Sequence, residues 1–173
     1  MLRIAQISML AAAIAVASPA IAAPVAASPK AAGRAKIMRP LALTAVRDLG
    51  FPTIIMNNVT MANVAAVLVP GGYMCGTPGE LTCSGPIVPA RYNVQGTKGA
   101  QVRITAANSN LVNTTSGGGE TLLFTPSIVS STLTLASSGS PGTNFDVGGF
   151  ITIRPTTVDG IYVGDLDITV DYL

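Results

Sequence analysis

The clearest pattern along the chain is a strict alternation of apolar and polar side chains near the C-terminus. Side chains of a β-strand point alternately to opposite faces, so this pattern predicts a strand with one buried and one wet face. The wet face is acidic, and a free edge on such a strand needs a covering segment. The apolar side chains that we expect to face the core are Leu166, Ile168, Val170 and Tyr172.

Seven stretches after Phe51 have strand-like composition, and turn clusters rich in glycine, proline and serine separate them. The alanines of Val59–Val69 also suit a helix, but its β-branched residues and the Pro-Gly that follows favour a strand. Short strands punctuated by turns predict an all-β fold, an antiparallel sandwich or barrel. The candidate strands are Val59–Val69, Ile87–Val94, Gln101–Ala106, Thr121–Thr125, Thr132–Ala136, Phe150–Arg154 and Tyr162–Tyr172.

Residues 1–22 have the layout of a secretory signal peptide. A short basic start precedes an apolar stretch over residues 4–16, and a small-x-small triplet ends at Ala22. This layout predicts cleavage between Ala22 and Ala23 and export of the remaining chain. A transmembrane anchor is the alternative, but the apolar stretch is too short for a span and Pro19 interrupts its end. We therefore expect no transmembrane segment in the mature chain.

Residues 23–40 are expected to form an extended tail ahead of a single domain over residues 41–173. The first part of this tail has no period and contains two prolines, as flexible segments do. From Arg34 a two-residue alternation begins, and this stretch is either a strand of the tail or the first strand of the domain. The residues on the apolar side of this alternation are Ala35, Ile37, Leu41 and Leu43.

The chain has two cysteines, Cys75 and Cys83, with a Gly-Thr-Pro-Gly turn sequence between them. Export places them in an oxidising compartment, so the sequence predicts a disulfide between the two. A metal site is the alternative, but it lacks further cysteines and any histidine to complete four ligands. We expect a structural disulfide and no metal.

Composition argues against enzymatic chemistry. The chain has no histidine, which excludes a Ser-His or Cys-His pair, and its net charge of +2 is small for a nucleic-acid-binding protein. Asp165 and Asp167 share a strand face, but such alternating acids usually form a solvated surface rather than a catalytic pair. Residues 116–119 are glycine-rich but lack the Lys-Ser/Thr of a phosphate-binding loop. We expect a non-enzymatic protein without cofactor or nucleic-acid partner.

Several motifs resemble a secreted bacterial family catalogued as domain of unknown function 4402. Residues 35–43 (Ala-Lys-Ile-Met-Arg-Pro-Leu-Ala-Leu) and 48–54 (Asp-Leu-Gly-Phe-Pro-Thr-Ile) are similar to its opening. Two stretches within residues 91–104 resemble its middle strands, and residues 159–172 resemble its Gly-x-Tyr strand and alternating finish. The chain departs from the family at Pro52, where glycine is usual, and in its disulfide loop.

The same layout resembles the spore coat U and archaic chaperone–usher pilin families. That resemblance implies an incomplete immunoglobulin-like β-sandwich whose groove receives the N-terminal strand of the next subunit, so that a surface fibre or coat assembles. It makes the apolar residues of the tail the donor strand, namely Ala35, Ile37, Leu41 and Leu43. It places the groove along the terminal strand, at Leu166, Ile168, Val170 and Tyr172. It also implies a Gram-negative periplasmic or surface location, related subunits as partners, and a periplasmic chaperone with an outer-membrane usher. The alternative function is a standalone secreted binding or adhesion module that recognises a carbohydrate or a surface.

Charge is unevenly distributed along the chain. Half of the ten basic residues lie within residues 30–47, and half of the eight acidic residues lie within residues 159–171. If the tail lies antiparallel to the last strand, Arg34 and Lys36 would oppose aspartates, each pair adding about 0.2–1 kcal/mol. The alternatives are that the tail folds back onto its own domain, or that both clusters are solvated surfaces.

Overall fold

The computed structural model describes residues 23–69, 71–115 and 119–173, so the predicted signal peptide with Ala22 lies outside the described residues. Over the described residues the fold is all-β, with antiparallel strand pairs and no helix. The strands are β1 (Ala42–Arg47), β2 (Thr53–Met56), β3 (Asn63–Val67), β4 (Tyr73–Cys75), β5 (Leu81–Ser84), β6 (Ala90–Gln95), β7 (Gln101–Ala107), β8 (Ser109–Asn113), β9 (Thr121–Ile128), β10 (Thr132–Thr134), β11 (Thr143–Ile153), β12 (Tyr162–Val163) and β13 (Asp167–Tyr172).

The chain divides into two units, and the second of them, residues 37–173, contains every described strand. Residues 23–36 of the first unit are exposed and contain no strand. The alternation that begins at Arg34 becomes a strand only at Ala42, where β1 starts. Pro40 accounts for the delay, because proline has no backbone N–H to donate to a neighbouring strand.

The main sheet is organised around β11, its longest strand. The sheet has eight strands, with β1, β6, β11, β9, β8 and β12 side by side, while β3 pairs with β11 and β4 with β3. The first half of β11 pairs with β6 and its second half pairs with β3. A Cβ at Gly148, near this change of partner, would collide with the Val67 carbonyl oxygen, so the close approach of β3 requires a residue without a side chain.

Two smaller sheets complete the sandwich-like arrangement. One contains β10, β7 and β13 in that order, and the other pairs β2 with β5. Along β13, half-buried and exposed side chains alternate, with Ile168, Val170 and Tyr172 half-buried and the aspartates exposed. Among the described strands β13 pairs with β7 alone.

The predicted stretches overlap most of the observed strands, but two of them have the wrong extent. Only the part of β11 from Phe150 onward was expected, and the predicted Tyr162–Tyr172 strand is two strands, β12 and β13, in different sheets. The Val59–Val69 stretch contains strand β3, as expected, and not a helix. The pattern missed β2, β4, β5 and β8, which have three to five residues each. Such short strands contain too few alternations to be distinguished from loops, and their pairing partners and a disulfide determine their conformation.

The core consists of two apolar clusters. The first contains Phe124 with Leu111, Leu122, Ile151 and Ile153 of the main sheet, among others, and Phe51 meets Phe124 edge-on at 6.2 Å between ring centroids. The second cluster joins the main sheet to the β10–β7–β13 sheet. Its buried members are Val94, Val102 and Leu135, and the half-buried side chains against it include Leu41, Leu43, Val170 and Tyr172.

Close packing at Gly96 allows Tyr172, near the end of β13, to form hydrogen bonds with the segment that precedes β1. The Tyr172 hydroxyl donates to the Arg39 carbonyl (2.7 Å) and accepts from the Thr97 N–H (2.8 Å). A Cβ at Gly96 would lie 2.5 Å from the Tyr172 hydroxyl oxygen and 2.7 Å from a Leu135 methyl carbon. The close packing of this corner therefore depends on the missing side chain.

We expect Gly96→Ala to lower the free energy of unfolding by about 1–3 kcal/mol, because the new methyl group overpacks the corner. Gly71→Ala is the matched control, since no heavy atom lies within 4 Å of a Cβ at that position. Denaturant unfolding monitored by circular dichroism measures both changes. Equal stability of the Gly96→Ala variant and the natural protein would contradict the packing argument.

An ion pair joins three strands on the outer face of the main sheet. Arg91 donates to Asp146 through Nε (2.7 Å) and Nη2 (2.8 Å), and the two residues are directly opposite in the β6–β11 pairing. Arg47 of β1 lies 3.7 Å from the same carboxylate. The hydrogen bonds from Arg91 lower the pKa of Asp146, with burial acting in the opposite direction. The folded protein therefore favours the charged carboxylate.

We expect Asp146→Asn to destabilise the protein at neutral pH, and the stability difference to shrink in acid. A carboxyl whose pKa is lowered by folding contributes its full stability above its unfolded pKa, near 3.9, and loses it as the pH falls below that value. Urea unfolding of both proteins between pH 7 and pH 2 measures this difference. A difference that stays constant or grows in acid would contradict the role of the charge.

Candidate functional site

A groove of about 1180 Å³ opens beside the first core cluster of the compact unit. Its floor is the inner face of the main sheet and includes Leu111, Leu122, Ile151 and Ile153. These four side chains also belong to the core cluster and are at most 8% exposed. The groove thus lies directly against the core, whose side chains at its floor are already largely buried.

The two walls of the groove come from separate parts of the chain. Residues 45–56, the end of β1 through β2, contribute to one wall, and residues 157–166, which include β12, contribute to the other. Large apolar side chains at its mouth remain open to solvent. They are Ile55, Met56, Ile161 and Val163, which are 36–61% exposed.

The strands along the groove have free edges. Among the described strands, β2 pairs only with β5 and β12 only with β8. The second edge of such a strand presents backbone N–H and C=O groups that can pair with another extended segment. The groove therefore combines an apolar floor with hydrogen-bonding edges, which is the combination that strand addition uses.

Carboxylates lie along the groove. Asp48 follows β1, Asp165 precedes β13, and Asp159 lies in the loop before β12; all three are exposed and line the groove. Burial raises the pKa of the Tyr92 phenol on the groove floor, and the charges of Asp48 and Asp165 raise it further. Both carboxylates therefore act on one ring from opposite walls.

The disulfide prediction is confirmed, and the disulfide supports one wall of the groove. Cys75 and Cys83 are bonded, with Cα atoms 5.9 Å apart. Cys75 ends β4 of the main sheet, while Cys83 lies in β5 opposite Ile54 of β2. The bond therefore ties the β2–β5 pair covalently to the main sheet.

Glu80 reinforces the same region just before β5. Its carboxylate accepts a hydrogen bond from the Thr60 hydroxyl (2.6 Å) and another from the Asn63 side-chain amide. The hydrogen bond from Thr60 has the largest effect in lowering the pKa of Glu80, and the bond from Asn63 lowers it further. A charged Glu80 thus links the loop before β3 to the start of β5.

The residues expected to form a donor strand lie in two different environments. Ala35 is exposed in the tail, and Ile37 is 90% exposed. Leu41 and Leu43 instead pack against the second core cluster of their own compact unit. Leu43 lies within β1, which pairs with β6, as in the alternative in which this stretch is the first strand. Ala35 and Ile37 therefore belong to an exposed segment ahead of β1, whereas Leu41 and Leu43 are part of the domain's own packing.

The residues expected to line a groove along the last strand also divide. Leu166 lines the groove and packs against the first cluster. Val170 and Tyr172 pack against the second cluster, and Ile168 is half-buried on the same face of β13. The groove therefore lies at the beginning of the terminal strand and continues past β12, and it does not run along β13.

Sequence reasoning missed the floor of the groove and its β2 wall. Leu122 and Ile151 lie in predicted strands, whereas Leu111 lies in β8, which the pattern missed. The alternation of apolar and polar residues predicts which side chains face inward. It does not show whether the opposite layer packs closely above them or leaves a groove. Among the described residues no group of three or more potential metal ligands is present, and no helix has the length and apolarity to cross a membrane.

Together these features define an all-β domain with a structural disulfide and an apolar groove open to its core. The chain belongs to the DUF4402 family, a domain of unknown function, whose model matches residues 41–172. The match covers β1 to β13 and leaves out the tail. No match was found among curated proteins or among solved structures.

We expect replacement of both cysteines by serine to lower the free energy of unfolding by about 2–3 kcal/mol, because the short loop is no longer closed in the unfolded chain. Hydrogen exchange should increase most in β2 and β5, which lose their covalent link to the main sheet, and little in β7 and β13. Thiol labelling of the denatured, non-reduced natural protein should detect no free thiol. Equal exchange in all four strands would contradict the role of the bond in supporting the wall.

Proposed function

We propose that this protein is a non-enzymatic, exported structural subunit, similar to a pilin, that assembles into a surface fibre or coat by strand donation. The N-terminal tail of one copy would enter the groove of the next. The observation that carries this proposal is the groove itself, whose floor consists of core side chains.

The groove supports strand donation because an occupant would complete the core. Burying a large apolar side chain fully contributes about 1.5–3 kcal/mol, and the mouth of the groove offers several that are only partly covered. A β-strand also satisfies the free edges of its neighbours, which a small ligand cannot do along their whole length. An extended peptide therefore fits both features of the groove.

The tail has the pattern that such an occupant needs. Its odd positions from Val25 to Ile37 are small or apolar, whereas its charged residues, Lys30, Arg34 and Lys36, occupy even positions. In an extended strand these two sets point to opposite faces, one toward an apolar floor and one toward solvent. Val25 and Ile37 are at least 90% exposed, so neither is required by the fold of its own chain.

The partners implied are further copies or related subunits, with a periplasmic chaperone and an outer-membrane usher for delivery. The location is the periplasm, the surface or an extracellular fibre of a Gram-negative bacterium. The disulfide is consistent with an oxidising compartment outside the cytoplasm.

We expect the chain beginning at Ala23 to form ladders or fibres, and Ile37→Asp to abolish them, because a charge would have to enter the apolar groove. The matched control is Ala32→Asp, which makes the same substitution at an exposed position on the opposite face. Sedimentation velocity and negative-stain microscopy measure assembly, and thermal unfolding verifies that both variants fold.

A chain of residues 37–173, which keeps the whole compact unit, should remain monomeric and bind a synthetic peptide of residues 23–38. Equal assembly of the Ile37→Asp and Ala32→Asp variants would contradict donation by the tail. A strictly monomeric natural protein that binds a glycan array would instead support the adhesion module.

A further inference from the structure

We propose that Asp48 and Asp165 are specificity-determining residues of the groove, which select the tail of a second copy by pairing with its basic side chains. This inference rests on the proposed function and adds the chemistry by which the occupant is recognised. Asp48 lies where β1 ends and Asp165 where β13 is about to begin, so the two carboxylates stand on opposite walls of one groove.

The groove carries uncompensated negative charge. Its lining contains three aspartates and one arginine, Arg47. Arg47 is already engaged, since its Nε donates to the Pro89 carbonyl (2.9 Å) and its guanidinium lies 3.7 Å from Asp146 outside the groove. Among the described residues neither Asp48 nor Asp165 forms an ion pair. An empty groove thus presents an apolar floor beneath unpaired carboxylates.

The tail has the complementary charge. Residues 23–38 contain Lys30, Arg34 and Lys36 and no acidic residue. Arg34 and Lys36 are two positions apart and so project from the same face of a strand, about 7 Å apart. If the small and apolar positions of the tail lie against the floor, its basic face points away from the floor. It then points toward the exposed parts of the two walls, here called the rim, where Asp48 and Asp165 lie.

Charge of this sign also discriminates against a wrong occupant. The terminal strand of another copy has the required alternation, but its outer face bears Asp167 and Asp171. Inserting it would bring like charges together at Asp48 and Asp165, which disfavours the complex. The acidic walls of the groove would therefore accept the basic tail and disfavour the acidic terminal strand of another copy.

The test measures binding of a dye-labelled peptide of residues 23–38 to the chain of residues 37–173 by fluorescence anisotropy at low salt. We expect Asp48→Lys with Asp165→Lys to weaken binding roughly tenfold, and a peptide with Arg34→Glu and Lys36→Glu to be weakened similarly. Combining the two altered partners should restore most of the affinity. High salt should reduce all of these differences.

The matched control is Asp167→Lys with Asp171→Lys, which makes the same change of charge on exposed residues of β13 that do not line the groove. Thermal unfolding verifies that each variant folds. Equal weakening by the control, or no recovery with the combined partners, would overturn the proposed specificity while leaving strand donation intact. Absence of any binding between the natural peptide and the natural acceptor would overturn the proposed function itself, and the specificity with it.

Discussion

The structure depends on the pairing of one long strand, β11, with three neighbours. Because β11 holds β6, β3 and β9 in register, the main sheet presents one continuous apolar face that contributes to both core clusters. Such a face needs a cover along its whole length. The β10–β7–β13 sheet covers the second cluster, while the short β2–β5 pair covers only part of the first. The groove follows from this mismatch between a long floor and a divided second layer, and it lies against core side chains that are at most 8% exposed.

An open space beside a core lowers the stability of the fold, because the side chains around it lose packing contacts. The surrounding structure tends to collapse into such a space unless it is held in place. Here the walls are held apart by bonds that do not depend on an occupant: the Cys75–Cys83 disulfide and the Glu80 hydrogen bonds fix the β2–β5 side. At the other side the Thr114 hydroxyl donates to the Ile161 carbonyl (3.0 Å) and the Ile161 N–H donates to the Thr115 hydroxyl (2.7 Å), which fixes the wall just before β12. Because these bonds already order the walls, a strand that bound in the groove would lose little free energy in ordering them.

Sequence reasoning succeeded where one pattern was long and failed where pairing determined the structure. The all-β class, the disulfide and the alternation along β13 could be predicted from residues close together in the chain, such as Ile168 and Val170. The place of Leu43 could not, because the same alternation suits a donated strand and a first strand, and only its pairing with Val94 distinguishes them. The groove could not be predicted either, because Ile151 looks the same in sequence whether a strand covers it or not.

In the proposed assembly the groove would have to accept one alternating strand of the chain, the tail, and exclude another, β13. The charges of the two strands distinguish them. Such a groove would have to bind an alternating strand tightly, yet the chain already carries an alternating strand of its own in β13. Apolar contacts alone discriminate poorly between two such strands, since both offer a similar apolar face. Basic residues on the tail and acids on β13 give the two strands opposite charge, and acids on the groove then favour one of them. Strand edges are hazards when any neighbour can pair with them. In the proposed assembly, the carboxylates of Asp48 and Asp165 would disfavour the acidic terminal strand of another copy. The free strand edges of the groove would then pair selectively with the basic tail.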